Sequence, residues 1–208
     1  MKPVFIHISK NAGTSIIASA GDHIVTAGHQ IAAKWVAEHG RASPLFAVIR
    51  NPYDRVISEY VYRKRRHAAG ERNPHLANLD KTFGDWVVST FRDGDFRTRA
   101  FFERTGIPFN PANMINDTLI WFISQKCWLD GDNGEILADH ILRYETLEDD
   151  WARFMAKYNF SARLEHRNAS PRLADPGAYY TAQTRELVFE YFRTDFNVFG
   201  YAKWALSE

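Results

Sequence analysis

Residues 4–17, VFIHISKNAGTSII, determine which fold this chain can adopt. The apolar run over residues 4–8 predicts a buried strand, the polar residues 9–15 predict a short turn, and Ile16 and Ile17 open a helix. A strand that runs through a turn into a helix is the first half of a strand–helix–strand unit. The stretch therefore favours an α/β fold built on a parallel sheet.

The turn within this stretch predicts a site for a phosphate-type anion. A helix N-terminus carries N–H groups without intrahelical partners and a partial positive charge. Lys10 adds a full charge, Gly13 lets a ligand approach the backbone, and the hydroxyl groups of Thr14 and Ser15 add donors. An ordinary strand-to-helix connection with a solvent-facing lysine is the alternative. Because the lysine precedes the glycine, the turn is not a Walker A loop, and generic nucleoside triphosphatase chemistry is disfavoured.

Composition limits the classes of protein to consider. The 208 residues predict one domain over residues 1–208 with a substantial core. A net charge of +1 provides no global field for nucleic acid or an anionic membrane. A single cysteine, Cys127, excludes an internal disulfide, and no stretch is apolar enough to span a bilayer. A core strand at the N-terminus leaves no room for a signal peptide, so we expect a soluble cytoplasmic protein.

The next 30 residues repeat the alternation of strand and helix. Residues 22–28 predict a second strand, residues 30–39 a helix closed by Gly40, and residues 45–49 a strong third strand. In parallel sheets, ligands bind beyond the carboxyl ends of the strands. Three side chains follow directly on these predicted strands and are expected to face one crevice: Lys10, His29 and Arg50.

Later segments extend the same pattern. We predict helices over residues 82–91, 145–158 and 181–194 and a core strand over residues 139–144. Residues 117–129 are apolar and ambiguous between helix and strand, and residues 130–135 predict a turn rather than a calcium loop. The predicted fold class is α/β: a single domain with a central parallel sheet flanked by helices, in a P-loop-like architecture.

The segment after the third strand predicts a second anion contact. Pro52 fits the start of a helix, and Ser58 lies about two turns into it. An arginine leaving the strand, Arg50, and a serine on the following helix can together hold a phosphate. Pairing of Arg50 with a nearby carboxylate such as Asp54 is the alternative.

The two segments HISKNAGTS and VIRNPYDRVISEY resemble the paired cofactor motifs of carbohydrate-type sulfotransferases that use 3′-phosphoadenosine 5′-phosphosulfate. The resemblance implies that the loop of Lys10 holds the 5′-phosphosulfate and that Arg50 and Ser58 hold the 3′-phosphate. Ser9 stands where proline is usual in that family. A later basic loop, EHRNASPR, resembles the loop that closes over the nucleotide, and a surface loop whose arginines serve solubility is the alternative. The implied cofactor-binding residues are Lys10, Asn11, Ala12, Gly13, Thr14, Ser15, Arg50, Ser58, Arg167 and Ser170.

The resemblance also assigns catalytic roles. In relatives that sulfate uronic-acid sugars, including heparan 2-O-sulfotransferase-like and bacterial proteins, a Gly-His pair supplies the base, and Gly28-His29 falls in a comparable place. The resemblance therefore implies His29 as the base and Lys10 as the charge on the departing phosphate. Glu145 could orient the site or act as the base, and a capping or buried-network role is the alternative. His7, inside the first predicted strand, is expected to be structural.

The function implied is transfer of a sulfuryl group to a hydroxyl acceptor, with a sugar as the expected acceptor and 3′-phosphoadenosine 5′-phosphate as product. No metal, nucleic acid or membrane span is expected, and the oligomeric state is left open. A small-molecule kinase and a non-catalytic nucleotide-binding module are the alternative functions. The basic residues 63–66 are either a solvated face or a rim for an anionic acceptor.

Overall fold

The computed structural model describes residues 1–70, 81–165 and 175–203. Six short strands occur in these residues: β1 (Val4–Ile6), β2 (Val25–Thr26), β3 (Leu45–Ile49), β4 (Met114–Ile115), β5 (Thr118–Leu119) and β6 (His140–Arg143). The α-helices are α1 (Gly13–Ala20), α2 (Ala32–His39), α3 (Pro52–Ala68), α4 (Phe83–Val87), α5 (Arg99–Thr105), α6 (Gln125–Leu129), α7 (Leu147–Lys157), α8 (Ala182–Tyr191) and α9 (Arg193–Phe199).

The central sheet has the strand order β2-β1-β3-β6, and every neighbouring pair is parallel. All residues of β1 and β3 are buried, as expected for strands covered on both faces. The edge strand β2 has only two residues, and both are exposed. So short an edge offers few backbone groups to another chain.

One face of the sheet is closed by α1 and α7. The shared core joins Ile16 of α1 and Trp151 of α7 to Phe46 of β3, and all three side chains are almost fully buried. Burying an aromatic or branched side chain contributes roughly 1.5–3 kcal/mol. The predicted fold class, a parallel α/β sheet flanked by helices, is confirmed.

The described chain divides into two compact units. The first comprises Met1–Asn51 with Ser124–Ala169 and contains the parallel sheet. The second comprises Pro52–Ile123 with Ser170–Glu208 and contains α3, α8 and the β4–β5 hairpin. Its core is largely aromatic and includes Tyr53, Trp86 and Phe122. Organisation of residues 1–208 as one domain stays a prediction.

Several predicted boundaries differ from the observed ones. β1 ends at Ile6 because the amide of Ile8 donates to the carbonyl of Ile6, which turns the chain at His7. His7 therefore lies in a turn and not inside a strand. The predicted helix over residues 82–91 is α4 followed by one π-helical turn, and the helix predicted over residues 181–194 is divided into α8 and α9 at Phe192.

Candidate functional site

The carboxyl ends of three parallel strands lie side by side in the first unit. β1 pairs with β3 through Ile6 and Ala47, and β3 pairs with β6 through Ile49 and Arg143. The chain therefore leaves all three strands at one edge of the sheet. The residues that follow them, 7–12, 50–51 and 144–145, are brought to that edge.

The loop between β1 and α1 has a backbone suited to an anion. Lys10 and Ala12 have φ angles of 67° and 58°, the left-handed region that non-glycine residues enter at a cost of roughly 1–2 kcal/mol. Ala12, the N-cap of α1, makes no side-chain cap, and the first turn of α1 contains no acidic residue. The N–H groups of that turn are thus not capped by the N-cap side chain, as at helix ends that bind anions.

Asn11 anchors this loop to the sheet. Its side chain is buried, and Nδ2 donates to the carbonyl of Val48 at 2.8 Å and to Oε1 of Gln125 at 2.6 Å. Both amide hydrogens are therefore used inside the protein. The direct contact of Asn11 with a nucleotide stays a prediction, and the structure gives this side chain a positioning role.

Gln125 of α6 is a site residue that the sequence did not reveal. Its Oε1 accepts from the backbone amide of Arg50 at 2.8 Å, and its Nε2 donates to the carbonyl of Arg50 at 2.8 Å. Because Oε1 also accepts from Asn11, one side chain fixes the end of β3 and the loop after β1. The sequence signal for it is weak, because Gln125 stands between two other polar residues, Ser124 and Lys126.

Arg50 lies at the centre of the strand ends. It is only 2 % exposed, its Nη1 donates to the carbonyl of Lys10 at 3.0 Å, and its guanidinium lies 3.8 Å from the ring centre of Tyr144. The contacts join the residue after β3 to the loops after β1 and β6. A buried guanidinium held in this way places a fixed positive charge at the edge of the sheet.

Glu145 also makes a hydrogen bond at this edge of the sheet. Its Oε1 accepts from the backbone amide of Asn51 at 2.6 Å. This contact favours the orienting interpretation of Glu145 over its use as a base, because the carboxylate fixes the peptide that follows Arg50.

His29 is placed beside the same loop by His7. The Nδ1 of His29 lies 3.1 Å from the carbonyl of His7, and the two imidazole centres are 4.3 Å apart. A carbonyl only accepts, so Nδ1 carries the hydrogen and Nε2 keeps its lone pair in the neutral ring. Burial, with contributions from His29 and Lys10, lowers the pKa of His7 to about 4. His7 is therefore neutral near pH 7.

The remaining predicted residues have different surroundings. Gly13 and Ser15 are buried in the first turn of α1, whereas Thr14 is exposed. Ser58 is 6 % exposed on α3, in the second unit. Arg167 and Ser170 lie outside the described residues.

The basic run 63–66 is not a uniform solvated face. Arg63 is buried, its Nε donates to Oε1 of Glu59 at 2.6 Å, and its guanidinium lies over the ring of Phe122. Lys64 and Arg65 are exposed. Only part of the run is therefore available to an anionic acceptor.

Residues 1–70, 81–165 and 175–203 contain no group of three or more histidine, cysteine or acidic side chains arranged to hold a metal ion. Among the helices in those ranges, none is both long and apolar enough to cross a membrane.

Comparison with known proteins agrees with the fold. Searches of curated proteins and of solved structures each returned no match. A family model described as the sulfotransferase family matches residues 32–202, which is more than half of the chain. The match contains Arg50 and Ser58, while the loop of Lys10 and His29 precede it. The chain belongs to the sulfotransferase family, whose members transfer sulfuryl groups.

Proposed function

We propose that this protein transfers a sulfuryl group from 3′-phosphoadenosine 5′-phosphosulfate to a hydroxyl group, with a carbohydrate as the acceptor. The observation that carries the proposal is the grouping of Lys10, Arg50 and His29 around the ends of β1 and β3. Arg50 donates to the carbonyl of Lys10, and His29 is bound to the carbonyl of His7, three residues before Lys10. A cationic anion site and an exposed imidazole thus belong to one edge of one sheet.

The residues present fit such a donor. The first turn of α1, which receives no cap from the Ala12 side chain, and the left-handed backbone at Lys10 and Ala12 suit a phosphate-type group. The Lys10 side chain is half-buried beside this loop, and its positive charge can act on an anion bound there. Bound there, the donor supplies the sulfuryl group and departs as 3′-phosphoadenosine 5′-phosphate.

Some side chains of the site stabilise negative charge, and another accepts a proton. Lys10 and the N–H groups of α1 stabilise negative charge in the loop. Arg50 adds a second positive charge, and its pairing with Ser58 at the 3′-phosphate stays a prediction from the sequence. His29 accepts the proton of the acceptor hydroxyl at Nε2, because Nδ1 is used by the carbonyl of His7. General base catalysis of this kind contributes roughly 10²–10⁴ in rate.

The carbohydrate acceptor is proposed from the resemblance of Gly28-His29 to enzymes that sulfate uronic-acid sugars. The exposed residues Lys64 and Arg65 are available to attract an anionic glycan. A cytoplasmic location is proposed from the single cysteine, Cys127.

A binding assay and a transfer assay test the proposal. We expect 3′-phosphoadenosine 5′-phosphate to raise the unfolding temperature more than ATP at the same concentration, since only the former carries a 3′-phosphate. We also expect transfer of ³⁵S from labelled donor to at least one member of a panel of sugars, lipids and phenols. An equal response to both nucleotides would support a kinase or a general nucleotide-binding module instead.

A further inference from the structure

The ring of His7 fills the space beside the first residue of α1. A Cβ atom built on Gly13 would lie 1.8 Å from Nε2 of His7 and 1.9 Å from its Cδ2. Gly13 does not have a positive φ, so its backbone does not require glycine. The absence of a side chain at Gly13 therefore makes room for the imidazole of His7, and not only for a ligand as the sequence suggested.

The same ring also supports His29. The two imidazoles are 4.3 Å apart with an angle of 32° between their planes, and the ring of Phe5 stacks with that of His7 at 5.5 Å. His29 is exposed, and its Nδ1 is bound to the backbone of His7. One residue thus holds His29 by both its ring and its carbonyl.

The neutral charge state of His7 suits a position beside a second imidazole, that of His29. Burial, with further contributions from His29 and Lys10, lowers the pKa of His7 and favours its neutral form. A neutral ring lets the neighbouring His29 become positively charged without like-charge repulsion at 4.3 Å. A second imidazolium at this distance would oppose proton transfer to His29.

We infer that His7 is a positioning residue: its neutral ring, wedged against Gly13, couples the anion-binding turn of α1 to the orientation of His29. The inference rests on the proposed function, because it concerns the base and the anion site of that reaction. A shift of the first turn of α1 moves the His7 ring, and the His7 ring moves His29. The contact of His7 with Gly13 distinguishes this coupling role from simple packing of the His7 ring against His29.

A double-mutant cycle tests the link. Gly13→Ala alone pushes a methyl group into the His7 ring, and we expect affinity for 3′-phosphoadenosine 5′-phosphate, measured by calorimetry, to fall about tenfold. In the His7→Ala background the space is empty, so Gly13→Ala should change affinity less than about threefold. A tenfold loss in both backgrounds would mean that the methyl group clashes with the nucleotide, and it would overturn the inference.

Nitrogen-15 NMR of labelled histidines gives a readout that needs neither acceptor nor nucleotide. The His29 signals, assigned with His29→Gln, should show the Nδ1–H tautomer in the native protein. They should change in Gly13→Ala and keep the native pattern in His7→Phe alone, where a flat ring preserves the support. Unchanged His29 signals in Gly13→Ala would overturn the coupling even if the nucleotide binds.

Two controls keep the outcomes distinct. If His7→Ala does not fold, the cycle is run in the His7→Phe background, where the space is still filled and Gly13→Ala must remain harmful. A harmless Gly13→Ala in that background would contradict the inference. If the native protein binds no 3′-phosphoadenosine 5′-phosphate while the NMR coupling is present, the proposed donor fails and the contact between His7, Gly13 and His29 stands.

Discussion

The Nη1 of Arg50 donates a hydrogen bond of 3.0 Å to the carbonyl of Lys10, and this bond joins the loops that follow β3 and β1. The same guanidinium stacks over the ring of Tyr144, the residue that follows β6. Three neighbouring strand ends therefore meet at one planar cation. A lysine could not reproduce this arrangement, because an ammonium group lacks the planar fork that stacks and donates together.

Arg50→Lys should therefore weaken the binding of 3′-phosphoadenosine 5′-phosphate about tenfold while the protein still folds. Isothermal titration calorimetry measures the affinity, and circular dichroism checks the fold. Arg92→Lys is the matched control, since Arg92 is exposed and paired only with the adjacent Asp93 among the described residues. Equal affinities for both variants and the native protein would exclude Arg50 from the nucleotide site.

Gln125→Leu should lower the free energy of unfolding by about 2–4 kcal/mol. Leucine has a similar volume but leaves the amide and carbonyl of Arg50 and the amide of Asn11 without their buried partner. Urea unfolding measures the change. Gln183→Leu on the exposed face of α8 should cost less than about 0.5 kcal/mol; similar costs for the two substitutions would contradict the role of Gln125.

His7 should make stability depend on pH in the acid range. Its folded-state pKa of about 4 lies below the unfolded value of 6.5, so the unfolded chain binds more protons between these values. Stability is thus lost as the pH falls from about 6.5 to 4, by about 3 kcal/mol for a shift of this size.

Comparison with His7→Phe isolates this contribution from that of the carboxylates. The native protein should lose about 3 kcal/mol more than the variant over this pH range, as measured by urea unfolding at each pH. Burial also lowers the pKa of His140, so both proteins should carry His140→Gln. Parallel stability curves would show that His7 is not desolvated.

His29→Ala should reduce sulfate transfer by roughly 10²–10⁴ and leave affinity for 3′-phosphoadenosine 5′-phosphate nearly intact. The labelled-donor assay measures transfer, and calorimetry measures affinity. His39→Ala is the control, because His39 is exposed and stacks on Trp35 of α2. Loss of transfer and affinity together would identify His29 as a structural residue.

The buried ion pair of Glu59 and Arg63 should contribute far more to the free energy of unfolding than the exposed charged side chains near it. Both side chains are buried, and Glu59 also acts on the buried Arg55, whose pKa is lowered by burial. Glu59→Gln removes the carboxylate from two buried guanidinium groups, so the free energy of unfolding should fall by about 3–5 kcal/mol.

Glu103→Gln, on an exposed position of α5, is the matched control and should cost less than about 0.5 kcal/mol. Chemical unfolding measures the free energy of unfolding of both variants. If Glu59→Gln is as stable as Glu103→Gln, water reaches the ion pair and screens it.

The fold could be predicted from the sequence where strong apolar runs stand between polar turns. β3 has the predicted bounds, Leu45–Ile49, because five apolar residues lie between Pro44 and Arg50. The division of α8 from α9 at Phe192 has no such signal, because the apolar pattern continues through it. Helical periodicity predicts a buried face but not an interruption of the backbone hydrogen bonds.

The site could be predicted only in part. The position of Lys10, His29 and Arg50 at one edge of the sheet could be predicted because they follow strands, and strand ends meet in a parallel sheet. Their functional roles stay predictions. The contribution of Gln125 could not be found, because its partner Asn11 lies 114 positions away. The contact of His7 with Gly13 depends on where β1 ends, and the apolar pattern placed that end two residues too late.

The bonds of Gln125 also bear on when the anion site can form during synthesis. A nascent chain that has emerged only as far as β3 contains Lys10, Asn11 and Arg50, yet it lacks the glutamine that unites them. The ribosome must release about 75 further residues before Gln125 can make these bonds. The arrangement proposed to hold the donor is consequently assembled late in the synthesis of the polypeptide.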